Sequence, residues 1–128
     1  MGRVTLICGL LVTLLSVAGC DVFTSPAERV ARAERLIEQG AYGEALVELN
    51  IALEKIPNDP RAELALARAS LQLGSADAAT HALEVAAAGG ADKATVAELR
   101  ARVLLLEGKF DALLAATDDA VPIFIALP

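Results

Sequence analysis

Gly40, Gly74 and Gly108 stand 34 residues apart, and Ala33, Ala67 and Ala101 keep the same interval seven positions upstream. A fixed interval of this length is the signature of stacked supersecondary units, so it restricts the chain to a repeat array before any single side chain is interpreted. Ala45 and Ala79 stay in register, as do Leu49 with Leu83 and Ala52 with Ala86, and an aromatic, Tyr42 or Phe110, follows the first and third Gly by two residues. A small residue inside a helix lets a neighbour approach closely, and Leu36, Leu49, Leu66, Leu83 and Leu104 are expected to fill the seams. Gly supplies the left-handed conformation that ends a helix and lets the chain reverse. Aromatic residues make up 3% of a chain rich in Ala and Leu, which favours helices over strands.

A 34-residue unit with a small residue in its first helix, a Gly turn, an aromatic and a closing Pro resembles the tetratricopeptide repeat, a helix-turn-helix hairpin. The resemblance implies an all-α solenoid of about two and a half hairpins. The first unit spans 26–59, where Pro57 stops the second helix and Pro60 starts the next; the second spans 60–93 and ends in Gly89-Gly90; the third, 94–119, is partial and degrades after Phe110. Arg29 and Arg32 stand where the family prefers apolar residues, which suits the first helix to a solvated capping role. Hairpins of this kind bury their apolar faces only by stacking, and roughly three are needed for stability, so the array is marginal unless something covers its carboxyl end.

Residues 1–19 have the layout of a secretory signal: Arg3, an uncharged run, then Ala18-Gly19-Cys20. The uncharged stretch from Val4 to Cys20, 17 residues, is at the lower edge of what crosses a bilayer. The sequence VAGC resembles the lipobox of bacterial lipoproteins, which implies cleavage before Cys20, thioether lipidation of its sulfur and acylation of the new amino group. Several acyl chains moor a protein where one holds only weakly. An ordinary signal peptide with a coincidental Cys, or an uncleaved membrane helix, are the alternatives. Cys8 would leave with the signal. Residues 20–25 then form a short linker, and Asp21 resembles the signal that keeps some lipoproteins in the inner membrane; the outer membrane is the other destination.

The last segment, residues 120–128, is almost wholly apolar (Val121-Pro122-Ile123-Phe124-Ile125-Ala126-Leu127-Pro128), whereas the final unit of a soluble solenoid should turn a polar face to water. Either it folds back over the third hairpin or the array continues past it; continuation is the expectation. Lipobox, short spacer and the run SPAERVARAERLIEQGAYGEALVELNIALEKIPNDP, with AELRARVLLLEGKF further on, resemble the amino-terminal part of the tetratricopeptide lipoproteins encoded with exosortase (PEP-CTERM sorting) systems. That resemblance, over roughly residues 17–119, implies a membrane-tethered scaffold of the bacterial envelope, periplasm-facing and associated with exopolysaccharide production and protein sorting.

Several chemistries are disfavoured. The net charge is −6 with no Lys/Arg cluster, against a nucleic-acid partner. One His and two Cys are too few for a structural zinc site, and no cofactor or metal is expected. A Ser-His-Asp arrangement would have to use His81 with Ser70 or Ser75 and a distant acid, so catalysis is not expected and His81 reads as a surface or seam residue. Asp111, Asp118 and Asp119 lack the spacing of a calcium loop and read as a solvated helix end. Gly89-Gly90 lacks the Lys of a phosphate loop and reads as a helix stop. Binding is the positive expectation. In the repeat family the first helix of each hairpin lines a concave groove, and there this chain offers Glu34, Arg61, Arg68 and Arg102 to a carboxylate-bearing protein or peptide of the envelope. The plainer reading, and the favoured one, is a solvated face whose charges pair along the helices, Glu98 with Arg102 and Glu63 with a nearby Arg. Two further functional readings stand beside the scaffold: the leading piece of a longer enzyme, and a structural spacer of the kind found in outer-membrane assembly or pilus-biogenesis lipoproteins.

Overall fold

The computed structural model describes residues 24–120, with side chains through residue 116. The expected signal, Cys20 and the tail from Val121 onward lie outside the described residues. Six helices follow one another: α1 (Pro26–Glu38), α2 (Tyr42–Lys55), α3 (Pro60–Gln72), α4 (Ala76–Ala88), α5 (Lys93–Leu106) and α6 (Phe110–Ala120), with no strand among the described residues. They form an all-α solenoid of three hairpins, α1/α2, α3/α4 and α5/α6.

The chain writes its own starts and stops. At α1 the Ser25 hydroxyl accepts from the Glu28 backbone N–H at 3.2 Å, while the Glu28 carboxylate accepts from the Ser25 backbone N–H at 2.8 Å, and Pro26 takes the first helical position. Asp59 and Asp92 cap α3 and α5 through the backbone N–H groups of Arg61 and Thr95. At the other ends Gly40, Gly74 and Gly108 adopt φ of 78°, 74° and 70°. Past each, a backbone N–H returns to the carbonyl five residues back: Ala41 to Leu36 at 2.8 Å, Ser75 to Ser70 at 2.9 Å, Lys109 to Leu104 at 2.9 Å. These are the closing bonds of the Schellman motif, and they explain why Gly recurs at the hairpin turn. Gly90 (φ 87°) ends α4 in the same way, while α2 gives way at Pro57 and turns through Asn58 (φ 62°).

The core is built mainly of alanine. Ala33, Ala45, Ala62, Ala67, Ala69, Ala79, Ala82 and Ala86 are fully buried, and the largest fully buried side chains are Leu49, Leu83 and Val30. Leu49 and Leu83 occupy one repeat position in successive hairpins, each contributing on the order of 2 kcal/mol by removing its side chain from water. Leu36, Leu66 and Leu104 are only half-buried. Each odd-numbered helix also touches the next odd one, so α1, α3 and α5 form a continuous inner layer.

One expectation needs correcting. Arg29 is no solvated cap residue: its side chain is 16% exposed, and Nη1 lies 2.9 Å from Oε2 of Glu48 on α2, with Arg32 3.4 Å from the other oxygen. The polar residue survives at an apolar position because a carboxylate meets it across the hairpin. Past Phe110, where the repeat pattern degrades, the chain stays helical as α6 to Ala120 because DALLAATDDA is rich in helix formers. What it loses is packing. Among the described residues α6 touches only α5, and Ala101 is half-buried where Ala33 and Ala67 are sealed. Leu105, Leu106, Phe110 and Leu114 are 47–64% exposed.

Candidate functional site

The inner layer brings the sequence-selected charges onto one surface. Glu34, Arg68 and Arg102 occupy the same repeat position in α1, α3 and α5, so stacking sets them in a column, and Arg61 stands one hairpin on from Glu34. Arg61 turns back to Glu34 as a two-pronged fork, Nε to Oε1 at 2.9 Å and Nη2 to Oε2 at 2.5 Å. The guanidinium donates to both carboxylate oxygens, which holds the Glu34 carboxyl below its usual range and pushes Arg61 higher still. Arg102 donates from Nη2 to Glu98 Oε1 at 2.6 Å, four residues back along α5.

Arg68 differs from its neighbours. It makes no ion pair among the described residues, although its charge helps lower the Glu34 carboxyl. It borders a hollow of about 180 Å³ on the inner face, with Arg102, Gln72, Tyr42, Ile37 and Leu99. Tyr42 and Leu99 were not singled out as site residues from the sequence. The Tyr42 signal was present as the aromatic two residues after Gly40, and only the stacking of α5 on α3 shows that Leu99 closes the same hollow.

Charges elsewhere arrange themselves differently from the sequence expectation. Glu63 forms no pair with Arg among the described residues; it is 8% exposed in the second hairpin. Burial raises its pKa, opposed by the nearby His81. His81 is exposed and borders a hollow of about 550 Å³ between α4 and α5, along with Asp77, Glu84 and Arg100, while Ser70 is buried and Ser75 begins α4. Asp111 is exposed in the first turn of α6. No three His, Cys, Asp or Glu side chains gather into a metal-holding group among the described residues.

A third cavity, about 660 Å³, opens between α5 and α6 near the end of α4. It lies behind the groove, since Ala97, Ala101 and Leu104 fall on the side of α5 opposite Leu99 and Arg102. Residues 36–103 match the family model described as tetratricopeptide repeat. Neither the curated proteins nor the solved structures give a match.

Proposed function

Because the chain belongs to the tetratricopeptide repeat family, a family of protein-binding scaffolds, we propose that its inner face docks an extended, carboxylate-bearing segment of a partner protein in the bacterial envelope. The observation that carries this reading is the state of Arg68. Its neighbours Arg61 and Arg102 already have carboxylates, whereas Arg68 has none within ion-pair reach among the described residues and borders a hollow lined by both polar (Gln72, Arg102) and apolar (Ile37, Leu71, Leu99) side chains. A partner carboxylate entering there would gain a charge-assisted bond from Arg68, while Tyr42, Ile37 and Leu99 take the adjoining apolar side chain.

The envelope setting rests on the leader and VAGC at Cys20. With that Cys lipidated the scaffold is tethered to a membrane and faces the periplasm, with Asp21 favouring the inner membrane. A role beside exopolysaccharide production and PEP-CTERM protein sorting rests on the family resemblance of the repeat sequence. Incorporation of labelled palmitate, lost in Cys20→Ala, tests the tether.

The groove is tested by covalent capture of partners from envelope membranes with Arg68→Glu, using Arg35→Glu as the control, since Arg35 is exposed and lies outside the hollow. Capture lost with the first and kept with the second supports the reading; equal capture by both removes the groove assignment.

A further inference from the structure

The cleft between α5 and α6 exists because the third hairpin lacks side-chain volume where the first two have it. One repeat position holds Arg29, Glu63 and Ala97 in successive hairpins, and the position facing it holds Glu48, Ala82 and Ala116. In the first hairpin an ion pair spans the gap. In the second a buried Glu63 and a sealed Ala82 close it. In the third, two alanines face each other and both stay exposed.

The walls of the resulting cavity are aliphatic, from Val96 and Leu104 on α5 to Leu113 on α6. In a chain of net charge −6, the charged side chains lining it among the described residues are Lys93 and Arg100. Neither makes an ion pair among the described residues. Arg100 also borders the neighbouring hollow between α4 and α5, which shares Leu104 with the cleft, so it stands on the rim between the two. Along α5 the apolar wall from Val96 to Leu104 extends about 12 Å at 1.5 Å per residue, the length of a medium alkyl chain.

We propose that this cleft binds a fatty carboxylate, its alkyl chain lying along Val96–Leu104 against Leu113 and its head group between Lys93 and Arg100. The apolar walls supply the larger part of the binding by removing methylenes from water, and the two cations select an anionic head over a cationic one. The site is separate from the Arg68 groove and does not depend on it.

The experiment uses the full chain in its membrane, irradiated with a dodecanoate that carries a diazirine near the end of its alkyl chain, the attachment sites being mapped by mass spectrometry. Adducts are expected on the α5 and α6 peptides. Charge reversal at both cations (Lys93→Glu with Arg100→Glu) should lower them about tenfold. Ala97→Leu, which fills the cleft but keeps both cations, should lower them as well, with circular dichroism confirming that each variant is folded. The amine analogue of the probe should label no better than the charge-reversed chain labels with dodecanoate. Equal labelling by carboxylate and amine overturns the proposal, as does labelling that neither set of substitutions changes. Labelling that emerges only after deletion of residues 121–128 overturns it too, because the tail would then be the natural occupant.

Discussion

Arg29 on α1 and Glu48 on α2 meet at 2.9 Å across the first hairpin, with side chains 16% and 13% exposed, at positions that the third hairpin fills with two alanines. Glu48 also receives Arg32, so removing this one carboxylate takes an ion-pair partner from two cations, one of them largely buried. Glu48→Ala is expected to destabilise the fold by about 2–3 kcal/mol, more than either arginine substitution alone. Urea denaturation of the three variants and the double Arg29→Ala, Glu48→Ala chain would give the coupling; additive losses would show that the pair contributes nothing.

Glu34 on α1 and Glu63 on α3 have opposite pH signatures. Glu63 is raised above 4.5 by burial, so its contribution is fully present below that value and is lost as pH rises through the folded pKa. Glu63→Gln should therefore raise Tm near neutral pH, with the gain shrinking toward pH 4.5 and below. Glu34 is lowered by its bond to Arg61, so its contribution is present above 4.5 and lost as pH falls through the folded value. Glu34→Gln should lower stability at neutral pH by less than about 1 kcal/mol, since the Arg61 side chain is largely in solvent, and leave acid stability unchanged. Melting curves across the acid range decide both.

The turn glycines divide by conformation. Gly74→Ala places a Cβ at φ 74° with nothing within 4 Å of it, so the expected loss of about 1–2 kcal/mol comes from the backbone alone. At Gly89 the φ is an ordinary −77°, but a Cβ would meet the Pro60 Cβ at 3.3 Å and the Asn58 carbonyl oxygen at 3.4 Å. Gly89→Ala therefore tests contact between the end of α4 and the turn that leads into α3. Asn in place of Gly74 should recover part of the loss, whereas Asn at Gly89 should not; thermal unfolding of the four variants separates the mechanisms.

Leu83→Ala should lose about 2–5 kcal/mol, because the side chain is wholly buried in the cluster that joins the second hairpin to α5. Leu114→Ala, 64% exposed on α6, should change stability by less than about 0.5 kcal/mol. Equal effects in chemical denaturation would mean that α6 is buried against something outside the described residues.

The hairpin turns were legible in the sequence because each depends on a local necessity: a left-handed residue at Gly40, Gly74 and Gly108 has few substitutes. Pro60 at a helix start is legible for the same reason. The Glu98–Arg102 pair was also visible, since four residues along a helix fixes the distance. Arg29–Glu48 and Glu34–Arg61 were not, being 19 and 27 residues apart and dependent on how one helix lies against the next. From sequence alone Arg29 therefore looks solvated, Arg61 looks like an available cation, and Glu63 looks paired with an Arg that it does not reach. The cleft behind α5 was hidden for a different reason: Ala97 and Ala116 look like good helix residues, and the missing volume shows only when they face each other.

Since α6 leans on a single neighbour among the described residues, the array unravels with a direction. Every other described helix touches at least two neighbours, whereas α6 touches one, so opening starts at Phe110–Ala120 and travels toward the front of the chain. A limiting protease should nick the stretch from Glu107 to Lys109 first and spare the turns at Gly40 and Gly74. If Cys20 is the mooring point, the durable end is the one held at the membrane and the end that frays is the one presented to whatever lies beyond it.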